Sequence, residues 1–460
     1  MNSLRSILFL SLLLASCSFG PDYDQAPEVE LESSWKNAGF AAAPIEGSWW
    51  NLFRDPQLAG YISMTEGDAP TAPAARAALA RYDQARADLG LAQVDRFPSI
   101  TGDAFARRQR DSGSANFSAG TYDDYRGALN LTWELDLWGR VRRQVGEAAA
   151  VERAAEYDRE GALLSLRGEL TRAYLSLRFA DADIALLERT ARLRAEARRL
   201  MKLRFEKGGS SRLDYERAVT EHEAVRAELA EARAGRSRYE NAVAALVGRS
   251  ASGFTIAPTG ARPAVPRVPA GVPSDLLRRR PDIAAAERRL AAASERIGLV
   301  VASYLPRISI GAAGGVRSLD SSDLFNSNSQ LWSLGPDLQL PTFQGGALGA
   351  NRRKAEAAYR EALAGYRDTL FQAVRETEDA LSDGRRLGEA AAARSRGATS
   401  ARNASALTRK RYEGGATDYF EVVDADRTAL LQERAALATG QARVLAATRL
   451  IQALGGGWSQ

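Results

Sequence analysis

The chain has 460 residues, room for two or three ordinary domains, so core size excludes nothing. Its 62 basic and 57 acidic residues leave a formal net charge of +5 and are interleaved, which suits solvated helix faces and not a one-sided nucleic-acid footprint. One His and three Met leave little for a metal relay or a His-based catalytic centre, and no G-x-x-x-x-G-K-[ST] loop or triad is present, so no enzyme, metal or cofactor is expected. His222, in "YERAVTEHEAVRAEL", reads as an exposed helix residue.

Residues 1–16 carry a basic Arg5, a short apolar run from Ile7 to Leu14 and small residues before Cys17. That is an export signal, too short to span a bilayer as a helix. Cys17 is the only cysteine, so no internal disulfide can form. Leu14-Ala15-Ser16-Cys17 resembles a bacterial lipobox, which makes Cys17 the expected lipidation site, with a covalent lipid and no cofactor expected. Residues 17–54 have little periodicity and read as a lipid-anchored tail.

Self-comparison organises the rest. "RADLGLAQVDRFPSI" (86–100) sits over "SERIGLVVASYLPRI" (294–308), "RFEKGGSSRLD" (204–214) over "RYEGGATDYFE" (411–421), and "AALVGR" (244–249) over "QALGGG" (452–457). The offsets are 208, 207 and 207 residues. A tandem duplication follows, with a first repeat at 55–256, a Pro-rich connector at 257–282 and a second repeat at 283–460. Each repeat reads as helix, strand pair and long helical hairpin. Pro70 and Pro73 interrupt the first helix at 61–76, whereas the second repeat has only Pro281, at a first-turn position.

Strands are expected near 98–108, 125–137, 306–317 and 331–342, the first being the least clearly patterned. In "ALNLTWELDLWGR" (128–140), Leu129, Leu131, Trp133, Leu135 and Leu137 alternate with Asn130, Thr132, Glu134 and Asp136. "LWSLGPDLQLPTF" (331–343) repeats the pattern, with Asp337 and Gln339 on its polar side. Two readings fit: a soluble sheet with one wet face, or membrane strands with an apolar outside and a polar lumen. The export signal favours the second. Four strands cannot close a barrel, so copies must share the sheet, and three copies give twelve strands.

Helix is expected over about 139–207 and 346–413, each turning at a Gly pair and returning. At about 1.5 Å per residue the longer helices would reach about 100 Å. Leu163, Leu166, Leu170, Tyr174, Leu177, Ile184 and Leu187 recur at helix-packing spacing. Gly208-Gly209 and Gly414-Gly415 suit tight turns, where glycine accepts a left-handed backbone. Glu421 and Asp424 share a helix face. By themselves they read as an ordinary solvated face; around a three-fold axis they would crowd six carboxylates.

The lipobox with "FGPDY", "SWWNLFRDPQL" (48–58), "LTWELDLWGR", "VPSDLLRRRPDIAAAERRL", "RIGLVVASYLPRISI", "LPTFQGG" and the terminal "LGGGW" resemble the TolC-like outer-membrane efflux channels, in particular the NodT/OprM-like lipoprotein subgroup. The resemblance spans essentially the whole chain. It implies an α+β membrane protein: a helical-hairpin α-barrel across the periplasm and a shared β-barrel in the outer membrane of a Gram-negative cell, four strands per chain and twelve per homotrimer. It implies a periplasmic adaptor and an inner-membrane resistance-nodulation-division transporter as partners, beside outer-membrane lipids. By position it makes Glu421 and Asp424 acidic rings of a periplasmic gate, Tyr412 the gate aromatic and Asp214 the matching acid of the first repeat. It also makes the glycine tips the adaptor-docking points. Some relatives carry a gate arginine where this chain has Thr417. The function implied is a passive exit duct for small molecules expelled by an inner-membrane pump. A duct for a protein exporter and a lipid-anchored coiled-coil scaffold without a pore are the alternatives, and the matched strand pairs argue against the scaffold.

Overall fold

The structure is a computed structural model, and it describes residues 19–37, 47–67, 70–110, 120–260, 262–269, 273 and 279–458. The export segment 1–16 and Cys17 lie outside the described residues.

After a short 3-10 turn at Trp49–Phe53, the elements are α1 (Pro56–Ser63), α2 (Pro73–Val94), β1 (Ser99–Arg110), β2 (Thr121–Glu134), α3 (Arg140–Glu206), α4 (Arg212–Leu246), α5 (Pro281–Ala302), β3 (Arg307–Ser318), β4 (Gln330–Gln339), α6 (Ala347–Glu413) and α7 (Tyr419–Ala453). The duplication is visible in the lengths. α2 and α5 both have 22 residues, α3 and α6 both 67, α4 and α7 both 35. Their starts differ by 208, 207 and 207 residues, the offsets found in the sequence.

The chain clusters into two units. The first comprises Met1–Glu28, Arg81–Glu156 and Ala285–Arg367 and holds the sheet. The sheet is antiparallel throughout, in the order β1-β2-β3-β4. Its register sets Asn130 against Thr101 and Ala313, Thr132 against Ser99 and Gly311, and Asp337 against Ser309. One face therefore carries Asp103, Asp124, Arg126, Asn130, Thr132, Arg317, Asp337 and Gln339. The other carries Ile100, Leu129, Leu131, Ile308, Ile310, Trp332, Leu334 and Leu338. A soluble sheet hides its apolar side, and this one does the reverse: Trp332 is 82% exposed while Asp124 is 3% exposed. The polar side is the crowded one. A Cβ at Gly315 would stand 2.2 Å from the Gly127 carbonyl oxygen, so only glycine lets the two strands approach there.

Several strand boundaries differ from expectation: β1 runs on to Arg110, β2 starts earlier, at Thr121, and β4 stops at Gln339. β1, the least patterned by eye, runs for 12 residues because β2 pairs with it along its whole length. β2 stops at Glu134, not 137. The cause is Asp136, whose carboxylate accepts the backbone N–H groups of Val141 and Arg142 at 2.9 Å each and so starts α3. Asp136 is thus a helix cap beyond the strand rather than a strand residue facing a lumen.

The second unit comprises Val29–Ala80, Tyr157–Ala284 and Asp368–Gln460. Of the stripe read from the sequence, Leu163, Leu166, Leu170, Tyr174, Leu177 and Leu187 are buried in it and Ile184 is half-buried. The interrupted segment 61–76 is resolved into two helices. Asp55 caps α1 and Pro56 opens it; α2 opens at Pro73. Between them, Thr71 Oγ1 donates to the Val247 carbonyl at 2.9 Å, and Arg167 reaches Glu66 at 3.5 Å and the Thr65 hydroxyl at 3.3 Å. Burial lowers the Arg167 pKa from its ordinary value, so this contact depends on Glu66 to offset the lost hydration.

Candidate functional site

Two places carry candidate functional residues: the polar face of the sheet, in the first unit, and the hairpin tips, in the second.

On the sheet, charges are paired across strands. Asn130 Nδ2 donates to Asp103 Oδ1 at 2.5 Å, and Arg126 lies 3.4 Å from Asp103. Arg317 donates twice to Asp124, at 2.9 Å each. Glu134 holds both Arg140, at 2.6 and 2.8 Å, and Arg307, at 3.3 Å. These charges need water or one another, and a face bearing them is suited to a wet lumen. On the opposite side, Trp133 is half exposed and donates through Nε1 to the Arg96 carbonyl at 3.0 Å. An amphipathic ring at a strand end suits a membrane–water boundary. No helix among the described residues is long and apolar enough to cross a membrane.

The two hairpin tips are built alike. Gly208 and Gly415 both have φ of +72°, and each follows the last turn of a 67-residue helix. The next N–H reaches back to close the turn, Gly209 to the Arg204 carbonyl at 2.7 Å and Ala416 to that of Arg411 at 2.8 Å. Gly209 and Gly414 have ordinary backbone angles, so only one glycine of each pair is demanded by the turn. Ser211 then caps α4, accepting from the Asp214 N–H at 3.1 Å and donating to its carboxylate at 2.7 Å. Asp418 caps α7, accepting from the Glu421 N–H at 3.1 Å, and the Thr417 hydroxyl donates to the Glu421 carboxylate. Asp214 and Glu421 thus hold the same third helical position, each with its N–H held by the capping residue and its carboxylate by a hydroxyl, that of Ser211 for Asp214 and that of Thr417 for Glu421. Asp424 lies one turn on, exposed, and no cation among the described residues pairs with it.

Tyr412 ties the tips together. Arg204 Nη1 donates to its hydroxyl at 2.7 Å and the guanidinium lies 5.2 Å from its ring; the Tyr419 ring is 5.8 Å away. Met201, Ala218, Tyr419, Val422 and Val423 form the buried cluster beneath. Burial, with Asp426 as the leading charge nearby, pushes the Tyr419 hydroxyl up to about 12, so it stays protonated and neutral.

Above the tips sits a residue that sequence reasoning missed. Glu221 is buried and receives both Arg194, from α3, and Arg427, from α7. Arg434 adds a second tie between the same hairpins, at 2.9 Å to both Asp183 oxygens and 2.9 Å to Glu228. Nothing local in "VTEHEAVRAEL" separates Glu221 from its solvated neighbours, because its partners come from other helices. His222 is half-buried and lies 3.1 Å from Arg198, rather than fully exposed. Among the described residues, no group of three or more His, Cys, Asp and Glu is arranged to hold a metal ion.

The outer membrane efflux protein family matches residues 71–249 and 272–456, most of the chain. The chain belongs to that family. This efflux-family chain is 33% identical to outer membrane protein OprJ of Pseudomonas aeruginosa, covering 99% of the chain and 96% of the relative. It is 30% identical to the solvent efflux pump outer membrane protein SrpC of Pseudomonas putida, covering 98% of each. Among solved structures, the outer-membrane channel OprN superposes with a TM-score of 0.87 at 31% identity, over 96% of this chain and all of that one.

Proposed function

We propose that this chain is the outer-membrane exit duct of a tripartite efflux system, passively conducting small molecules that an inner-membrane resistance-nodulation-division pump delivers through a periplasmic adaptor. The observation that carries the reading is the inverted sheet, apolar where it is exposed and ion-paired where it is crowded. Among the described residues its four strands have two free edges, and a free edge in lipid costs several kcal/mol for each unpaired backbone group. Three copies close the edges into twelve strands, enough for a water-filled lumen lined by Asn130, Thr132, Asp337 and Gln339. Family membership and the superposition on an outer-membrane channel support the same placement in a Gram-negative outer membrane, with the helical hairpins in the periplasm. The duct catalyses no reaction; energy and selection belong to the pump. The domain plan is an export segment at 1–16, a tail at 17–54 tethered by lipid on Cys17, and the two repeats joined at 257–282.

The same reading assigns the tips. Glu421, Asp424 and Tyr412, with Asp214 as the acid of the first repeat, form the periplasmic gate, and the loops at Gly208, Gly209, Gly414 and Gly415 meet the adaptor. The Glu421 carboxylate is engaged by the Thr417 hydroxyl, so Asp424 supplies the freer of the two carboxylate rings. Three copies bring these acids to one axis, where like charges repel one another and a divalent cation bound between them offsets the repulsion. Planar-bilayer recording tests this. Replacing Glu421 and Asp424 by Ala raises the leak conductance and weakens block by divalent cations; unchanged conductance and block remove both residues from the gate.

A further inference from the structure

The exposed apolar side of the sheet changes character at one level. From the helix-bearing end as far as Ala106 in β1, Tyr125 in β2, Val316 in β3 and Trp332 in β4, every residue on that side is apolar, aromatic or glycine. The register brings the four limits to neighbouring rungs: Tyr125 is opposite Ala106 and Ser318, and Val316 is opposite Gln330. In β2 the apolar stretch runs nine residues, from Tyr125 to Trp133, and a tilted membrane strand needs about 9–11. A ring at each end of it suits the two boundaries of a hydrocarbon layer.

Past that limit the side turns polar, and in one strand it turns basic. Arg108 and Arg110 follow Ala106 in β1, where β2 has Asp123 and Thr121, β3 has Ser318 and β4 has Gln330. Among the described residues, Arg108, Arg110 and Asp123 are the only charged ones on this side of the four strands. Arg108 is 76% exposed and only loosely paired, 3.9 Å from Asp123. Arg110 is exposed, and no acid among the described residues pairs with it. On the polar side, by contrast, Arg126, Arg307 and Arg317 each hold an acid of the same sheet, at 3.4, 3.3 and 2.9 Å.

We propose that Arg108 and Arg110 bind the phosphate groups of a membrane lipid in the leaflet at the loop end of the sheet. An arginine just beyond the hydrocarbon lays its stem on apolar surface and sets its head among the headgroups. Its planar fork then meets two phosphate oxygens at once. The surface below the pair fits the rest of such a molecule. Gly102, Ala104 and Ala106 of β1 lie beside Gly127 of β2, a shallow strip on which an acyl chain can lie while its phosphate reaches the arginines. Free phosphate gains nothing from that strip, so the lipid is the ligand favoured.

The proposal rests on the reading that the apolar side of the sheet faces the outer membrane. Its test is native mass spectrometry of the detergent-purified full chain, mixed in turn with diphosphoryl lipid A, monophosphoryl lipid A and phosphatidylethanolamine. Retention falls in that order. R108Q/R110Q lowers retention of the diphosphoryl form roughly tenfold, and R108K/R110K, which keeps both charges, restores most of it. Equal retention of the three lipids by the wild type, or of diphosphoryl lipid A by wild type and R108Q/R110Q, overturns the site and leaves the membrane sheet standing. Displacement of the lipid by an equal concentration of inorganic phosphate overturns the lipid as ligand. A wild-type chain absent from the outer-membrane fraction overturns the underlying reading and the site with it.

Discussion

Gly208 and Gly415 show how much a single backbone angle decides. Both sit at φ +72°, a region that costs an ordinary residue about 1–2 kcal/mol. Gly208→Ala or Gly415→Ala should each lower stability by about that amount, whereas Gly209→Ala and Gly414→Ala should be close to neutral. Thermal unfolding in detergent distinguishes the two sets. The sequence showed a glycine pair at each tip but not which member carries the turn; only the 207-residue register, which sets Lys207 over Gly414 and Gly209 over Ala416, singles out one. Glu221 is the harder case. Buried between Arg194 and Arg427, it should lose about 3–5 kcal/mol as Glu221→Ala, because the buried Arg194 is left without its acid, while Arg427, 60% exposed, keeps its water. The same melts measure it, and a change below 1 kcal/mol (on the order of an exposed pair) would mean water replaces the clasp. Such a residue is illegible in one dimension, since three helices distant in sequence make its site.

At the scale of elements, the sheet tests membrane placement by its two faces. Leu129→Arg puts a charge on the exposed apolar side, which in a bilayer costs about 2–4 kcal/mol near mid-depth and should cut outer-membrane insertion. Thr132→Arg, on the polar side, should insert normally and shift ion selectivity toward anions. Equal tolerance at both positions, read by membrane fractionation, would return the sheet to a soluble layer. The alternation in β2 and β4 made these faces legible in advance. β1 was obscure because its polar side includes Phe105 and its apolar side Gly102, Ala104 and Arg108, so its pairing with β2 defines it more than its own pattern does. The end of β2 was misplaced because Asp136 keeps the strand parity while serving the helix that follows.

For the molecule as a whole, the duplication was readable from three matched stretches at nearly one offset, and the paired helix lengths repeat it residue for residue. The interrupted helix at 61–76 was readable as a break, from Pro70 and Pro73, but its packing was not. That depends on Arg167 and on the carbonyl of Val247, roughly a hundred and nearly two hundred residues away. Among the described residues, what one chain lacks is closure: both edges of its sheet are open, and Leu91 and Val94 of α2 are exposed. The central claim is that copies supply one another's missing surfaces and enclose a duct. Its most direct test is the detergent-corrected mass of the purified protein by light scattering. Three chains per particle is the result expected, with four strands from each completing the barrel. A folded particle of one chain would leave the edges open and contradict the duct.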